Sequence, residues 1–276
     1  MELPAKHKLR RRHSEAADVL ALSFPKSGRT WVRYFLGKYI EKRYGAGFSL
    51  DFVADQSWDE KRLTMAIPKI NFTHNFFDFF QETGESPRLI DTEIIARKRL
   101  VLLVRDPRDV AVSYYHHKRD KEKVFTGSLD DFFRSDIYGI ERQSRFVLMM
   151  LDMFERHGGP KYFLTYEDLH GDAPKTFRDF LNFIFHSDID EAAYAYALEE
   201  SRFDNMQRDE IEASKSATGF NRLATPDWSG DTNALKVRTG KVSGYQSEMS
   251  ERLKAEALAL PDTGRLIERL NRRKNR

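Results

Sequence analysis

The stretch LALSFPKSGRTWVRYFL, Leu20 to Leu36, passes from an apolar strand through a short polar turn into an amphipathic helix. Successive backbone N–H groups in such a turn, together with the positive end of the helix behind it, form an anion site. Gly28 permits close backbone approach, Lys26 adds a point charge, and Ser27 and Thr30 add hydroxyl donors. The lysine stands before the glycine, so the nucleotide-triphosphate signature G-x-x-x-x-G-K-[ST] is absent. The plain alternative is an ordinary strand–helix turn carrying an exposed lysine.

Working outward, DVLALSF (Asp18–Phe24) reads as a buried parallel strand, and the helix runs from Thr30 to near Gly45. Further strands are expected at Lys69–His74, Arg99–Pro107 and Lys161–Tyr166. The run Leu100–Val104 is wholly apolar, as a central strand requires. Pro107 sits where a helix can open, since its missing N–H costs nothing in a first turn. That helix is PRDVAVSYYHHKRD. Others are expected over 137–157, after an Asp172 cap with Pro174 in the first turn, over 190–200, and over 248–258. Residues 204–246 are polar and rich in Gly, Ser and Thr, so they read as a lid or as disorder. Alternation of strand and helix implies an α/β fold with a central, mostly parallel sheet flanked by helices. Pro25–Thr30, His74 and Arg105–Ser113 then all fall at the carboxyl ends of strands, where such folds bind ligands.

Composition narrows the class. With 276 residues and 40% hydrophobic content, the chain can bury a sizeable core. Its formal charge of +3 is too small to imply nucleic acid as a partner. Much of that excess lies in KHKLRRRH and RRKN near the two ends, so residues 1–17 are expected to be a flexible basic arm and 261–276 a basic tail around a single domain, 18–260. Cysteine is absent, which excludes disulfides and thiolate metal sites and fits a cytoplasmic location. No apolar run reaches the ~20 residues of a membrane span, so no membrane association is expected.

The second informative stretch is LVRDPRDVAVSYYHH. Arg105 ends the central strand and Ser113 lies eight residues on. A guanidinium and a hydroxyl at one end of a sheet suit a phosphate; a strand-end Arg105–Asp106 ion pair is the structural alternative. Together, FPKSGRTW and LVRDPRDVAVSYYHH resemble the two nucleotide-binding signatures of the sulfotransferases, which use 3′-phosphoadenosine 5′-phosphosulfate (PAPS) and release adenosine 3′,5′-bisphosphate (PAP). The resemblance implies a three-layer, P-loop-like fold. It implies that Lys26, Ser27, Gly28, Arg29, Thr30 and Trp31 hold the 5′-phosphosulfate, and that Arg105 and Ser113 hold the 3′-phosphate. TYEDL resembles the segment whose tyrosine, here Tyr166, reaches the adenine. SRFDNM resembles the adenine-flanking pattern and implicates Ser201, Phe203 and Met206. VRTGKVSGY is similar to the loop over the 3′-phosphate and implicates Arg238, Thr239 and Gly240. Two departures stand out: Arg29 replaces a frequent threonine, and Thr239 replaces a lysine whose contact is lost or moves to Lys241. The family's dimer patch is not recognisable, which leaves the oligomeric state open.

Sulfuryl transfer builds negative charge on the leaving oxygen, which Lys26 can neutralise without a metal. A hydroxyl acceptor needs a base, and His74 matches the family's catalytic histidine at a strand end. Asp51, Asp55 or Asp78 is the carboxylate alternative. His116 and His117 read as surface or structural residues. Phe76, Phe77, Phe79 and Phe80 are either core or the wall of an acceptor pocket, and Phe52 and Trp58 are equally ambiguous. The expected acceptor is a hydroxyl or amine of a small molecule or glycan. The competing functions are a magnesium- and ATP-dependent kinase and a nucleotide-binding module without chemistry.

Overall fold

The computed structural model describes residues 4–52, 66–185, 188–215, 223–225 and 228–274. Its sheet contains β1 (Val19–Ser23), β2 (Ile70–Thr73), β3 (Arg99–Val104) and β4 (Lys161–Thr165) in the spatial order β2-β1-β3-β4, every pairing parallel. The longer helices are α1 (Ala5–Ala16), α2 (Arg29–Tyr44), α3 (Pro107–His116), α4 (Ile140–Arg156), α5 (Ala173–Ile184), α6 (Glu191–Glu200), α7 (Phe203–Lys215), α8 (Glu251–Ala259) and α9 (Pro261–Lys274).

Strand periodicity divides the core in two. Val19, Ala21, Val101 and Leu103 face one side of the sheet and pack with Phe35 and Tyr39 of α2, Phe177 and Phe180 of α5, and Tyr194 of α6. Leu20, Leu22, Leu100 and Leu102 face the other side, against Val110 and Tyr114 of α3, Phe146 and Leu151 of α4, and Leu266 of α9. Both faces of the inner strands are therefore covered, which is why they read as continuous apolar runs. The three-layer α/β fold expected from the sequence is the observed one.

From β1 the chain moves outward to β2, then returns past β1 to β3. The reversal opens a crevice above the carboxyl ends of β1 and β3. Asp106 helps to build one wall of it: its side chain accepts from the Arg108 N–H at 2.9 Å and caps α3, with Pro107 in the first turn.

Several elements differ from the sequence reading. Residues 5–16, expected as a flexible arm, form α1. His7 and Ser14 are buried in its contact with the rest of the protein, and Arg10 and Lys6 pair with Asp78 and Glu82. A strongly charged composition hid a helix whose charges find partners. The basic tail is α9, whose Leu266 and Leu270 are buried while Arg269 binds Asp152 and Glu155. Within 204–246, the helix α7 continues to Lys215, and later segments are held by hydrogen bonds described below. Phe76, Phe79 and Phe80 form their own buried cluster and Phe77 joins the core beside Phe24 and Phe146. Phe52 is buried against Phe72. These rings are core, not pocket wall. Trp58 and Asp55 lie outside the described residues. Among the described residues, no helix is long and apolar enough to cross a membrane.

Candidate active site

Each of the four strands delivers a side chain to one cleft as it ends: Lys26 after β1, His74 after β2, Arg105 after β3 and Tyr166 after β4. The turn after β1 reverses direction through two left-handed residues, Lys26 at φ 70° and Gly28 at φ 101°. For the lysine that conformation costs ~1 kcal/mol or more, a strain retained where geometry serves a ligand. Gly28 is required twice over: its backbone is left-handed, and a Cβ there would stand 2.6 Å from the Tyr166 ring. Gly28, Arg29, Thr30 and Trp31 all line the cleft, so the amino-terminal turn of α2 faces it.

Ser27 departs from the expectation. Its side chain is buried and lines a separate small cavity with Phe24, Val104 and Val110 rather than the main cleft. Alternation along a tight turn sends its neighbour Lys26 one way and Ser27 the other. Ser27 is not among the residues that line the main cleft.

His74 follows β2 and is fixed through Nδ1, which lies 2.7 Å from the Ser23 carbonyl. A carbonyl oxygen only accepts, so Nδ1 carries the hydrogen and Nε2 is left with its lone pair. Burial, with the nearby Arg29 guanidinium, holds the imidazole well below the ordinary histidine range. The ring is therefore neutral at pH 7. The next residue, Asn75, has φ 45° and grips the strand-exit loop by donating to the Ile90 carbonyl (2.8 Å) and accepting from its N–H (2.7 Å). Of the carboxylates offered in place of His74, Asp78 is turned toward Arg10 on α1, and neither it nor Asp51 lines the cleft.

The Arg105 guanidinium stands over the Tyr166 ring, 4.0 Å from its centroid, and donates to the Lys241 carbonyl at 2.8 Å. It pairs with Asp109 at 3.4 Å, whereas Asp106 is held by Arg108. The strand-end pair imagined between Arg105 and Asp106 does not form. Ser113 faces the cleft two turns into α3. Trp31 packs edge to face on Tyr166 and on His170, whose own rings are tilted against each other, and all three line the cleft.

The late segment closes the opposite wall. Ser201, Phe203, Met206, Arg238, Thr239 and Gly240 all line the cleft. Gly240 has φ 60°, and a Cβ on it would meet the Phe203 ring at 2.3 Å. Two buried carboxylates hold this segment. Asp109 accepts from the N–H groups of Ser243 (2.8 Å) and Tyr245 (2.9 Å). Glu210 accepts from those of Lys236 (2.8 Å) and Val237 (2.9 Å). Arg238 donates to Glu248, which also receives His116.

Sequence reasoning missed Lys236, His117 and His170, all of which line the cleft. Thr239 has no lysine beside it in the cleft at 241; Lys241 is exposed, whereas Lys236 lines the cleft while its ammonium donates to the carbonyls of Leu223 and Ala224 at 3.0 Å each. His117 stands one residue past α3, in a π-helical turn that shifts the helical register and that no sequence pattern marks.

Among the described residues the cleft is lined by the cations Lys26, Arg29, Arg105, Lys236 and Arg238 and by no Asp or Glu. Burial and the charges of Lys121, Arg105 and Arg238 lower Lys26 to about 7, against the opposing pull of Glu210. Burial and Lys121 lower Lys236 to about 8. The Nε–H of Arg105 and the indole N–H of Trp31 are buried without a protein hydrogen-bond partner. Aromatic rings, several cations and orphaned donors around one cleft suit a base linked to several anionic groups, which is the composition of PAPS.

A family model for the sulfotransferase domain matches residues 16–259. Luciferin sulfotransferase of Photinus pyralis is 22% identical over 271 residues, covering 86% of this chain and 68% of that protein. Human sulfotransferase 6B1 is 24% identical over 159 residues, covering 55% of this chain; the chain spans half the length of that relative. Mouse sulfotransferase SULT7A1, solved with PAP, superposes with a TM-score of 0.62 over 97% of this chain and 94% of its own, at 17% identity. Retinol dehydratase, solved with androsterone and PAP, does so with a TM-score of 0.56 over 91% and 79%, at 19% identity. At these identities the structures speak for the fold.

Proposed function

The chain belongs to the sulfotransferase domain family, and from that premise, a PAPS-dependent transfer of a sulfuryl group, we propose how its residues divide the work. The donor supplies an activated sulfuryl group on a phosphate leaving group. His74 is the base: its Nε2 takes the proton of an acceptor hydroxyl as that oxygen bonds sulfur. The electron pair of the broken S–O bond stays with the phosphate, and Lys26 supplies positive charge there. The turn from Lys26 to Trp31 holds the 5′ side, with Ser27 contributing backbone only. Arg105, Ser113, Arg238, Thr239 and Gly240 hold the 3′-phosphate, and Tyr166, Ser201, Phe203 and Met206 flank the adenine.

The observation that carries this reading is the convergence of a neutral, fixed histidine and a cation-lined cradle on one cleft at the sheet's switch point. It favours transfer over a silent binding module, because a cradle alone has no use for a histidine oriented through Nδ1. The acceptor is a small molecule bearing a hydroxyl. This is supported by relatives and neighbours whose names carry luciferin, retinol and androsterone. A cytoplasmic location goes with the cysteine-free sequence.

Two measurements test the reading. Labelled PAPS is offered with panels of alcohols, phenols, amines and glycans; transfer to small hydroxyl compounds without magnesium is expected, and ATP turnover that stops on chelation would favour the kinase. In thermal shift, PAP stabilises the protein and AMP does so poorly. Equal stabilisation by the two overturns the assignment of Arg105 and Ser113 to a 3′-phosphate.

A further inference from the structure

Glu210 has a role that none of these motifs assigns. It sits on α7, two turns after Phe203, and its side chain is fully buried. Four donors or cations converge on it. Oε1 accepts from the Thr225 hydroxyl at 2.7 Å and the Lys236 N–H at 2.8 Å, Oε2 accepts from the Val237 N–H at 2.9 Å, and the Lys121 ammonium lies 3.9 Å away. One helical turn earlier on the same face, Gln207 donates to the carbonyls of Val237 (2.8 Å) and Arg238 (3.3 Å). Helix α7 therefore grips both the N–H groups and the carbonyls of the Lys236–Arg238 run. That run presents Lys236 and Arg238 to the cleft.

The geometry points to Glu210 as a positioning residue for donor binding: it splints Lys236–Arg238 onto α7 and is the buried counter-charge to the lysines of the cleft. A buried carboxylate is costly unless paired, and here its partners are the backbone of the donor-facing segment and the cations that the donor must meet. Glu210 touches no reacting atom and acts through Lys236, Arg238 and Lys26. The charged groups acting on Lys26 are Lys121, Arg105, Arg238 and Glu210, with His117 also nearby. Glu210 is the only one of these that favours the protonated lysine.

This inference rests on the proposed PAPS chemistry, and its test separates the two. PAP affinity of the wild type, Glu210→Gln and Thr225→Val is measured by calorimetry from pH 6 to 9, alongside KM for PAPS, kcat and the melting temperature without ligand. Glu210→Gln keeps the shape and removes the charge. It is expected to weaken PAP and raise KM for PAPS about tenfold, with kcat changed less than threefold, and to move the alkaline loss of PAP affinity to lower pH. Thr225→Val removes one donor and is expected to give a smaller loss of affinity with no movement of that limb. A wild type that binds no PAP overturns both readings. A wild type that binds PAP, with variants of unchanged affinity and pH limb, overturns only the role of Glu210. If Glu210→Gln does not fold, the Thr225→Val affinity decides the splint, and its equality with the wild type overturns it.

Discussion

The cradle after β1 and the late wall of the cleft solve the same packing problem by different means. In each, a glycine of positive φ lets the backbone lie against an aromatic ring, Gly28 under Tyr166 and Gly240 under Phe203. The cradle is contiguous: residues 25–31 follow one another from strand to helix, and sheet pairing of β1 on both sides fixes their start. The late wall has no strand to hang from. It is pinned by Asp109 from α3 and Glu210 from α7, each accepting two backbone N–H groups. The cradle is thus rigid by connectivity, and the wall by side chains that reach it from other elements. Changes in the first should strike the chemical step, and changes in the second should strike donor affinity.

The sharpest way to break that division is at the strand ends. His74→Ala is expected to lower kcat by up to about 10⁴-fold, since it removes the proposed base while leaving the cleft's cations in place. KM for PAPS should hold within a fewfold. Lys26→Met is expected to lower kcat by about 10²–10³-fold, the loss usual when one group compensating transition-state charge is removed. Both are read by steady-state kinetics with a working acceptor. A Lys26 variant that loses only PAPS affinity would move it from the chemistry to the binding wall.

What the sequence disclosed follows the same line. The cradle was legible because strand, turn, glycine and helix are written in order, and the Arg105–Ser113 spacing is equally local. The late wall was half legible. Arg238, Thr239 and Gly240 could be found by resemblance, yet Lys236 could not, because it faces the cleft only through the grip of a carboxylate on another element. Glu210 reads as one more charge on an amphipathic helix; its burial depends on donors from residues 225–237, which no periodicity reveals. Helix α1 was missed for a related reason. Its His7 packs between Phe76 and Phe79, and Asn71 of β2 donates to Ser14 at 3.0 Å, contacts that a run of arginines does not suggest.

The two glycines compare the regions directly. Gly28→Ala forces φ 101° on a residue with a Cβ and pushes Tyr166. Strain of about 1–3 kcal/mol is expected, or about 10–100-fold in kcat/KM if it is expressed at the site. Gly240→Ala meets φ 60°, a milder conformation, and displaces Phe203. It is expected to raise KM for PAPS by about tenfold with kcat within a fewfold. Equal effects on kcat from both would erase the distinction between cradle and wall.

The dependence of PAP binding on pH runs opposite to that of the fold. Lys26 is held near 7 and Lys236 near 8 in the free protein by burial and by neighbouring cations. A bound anion favours their charged forms, so above those values binding must take up protons, and affinity falls as pH rises. The slope is at most about tenfold per pH unit for each lysine. The unfolded chain, by contrast, keeps its lysines near their ordinary ~10.4. Between about pH 7 and 10 it binds more protons than the native state at these two sites, so their contribution to stability grows with pH. Melting without ligand and the increment added by PAP, followed from pH 7 to 9, should therefore diverge: the lysines' part of the first rises while the second shrinks. Calorimetry in two buffers of different ionisation enthalpy reads the proton uptake itself. Lys26→Met should remove the part of it that begins near pH 7, in the cradle, and spare the part near pH 8, in the wall. Uptake that is identical in the variant would show that the cradle lysine stays charged without its donor.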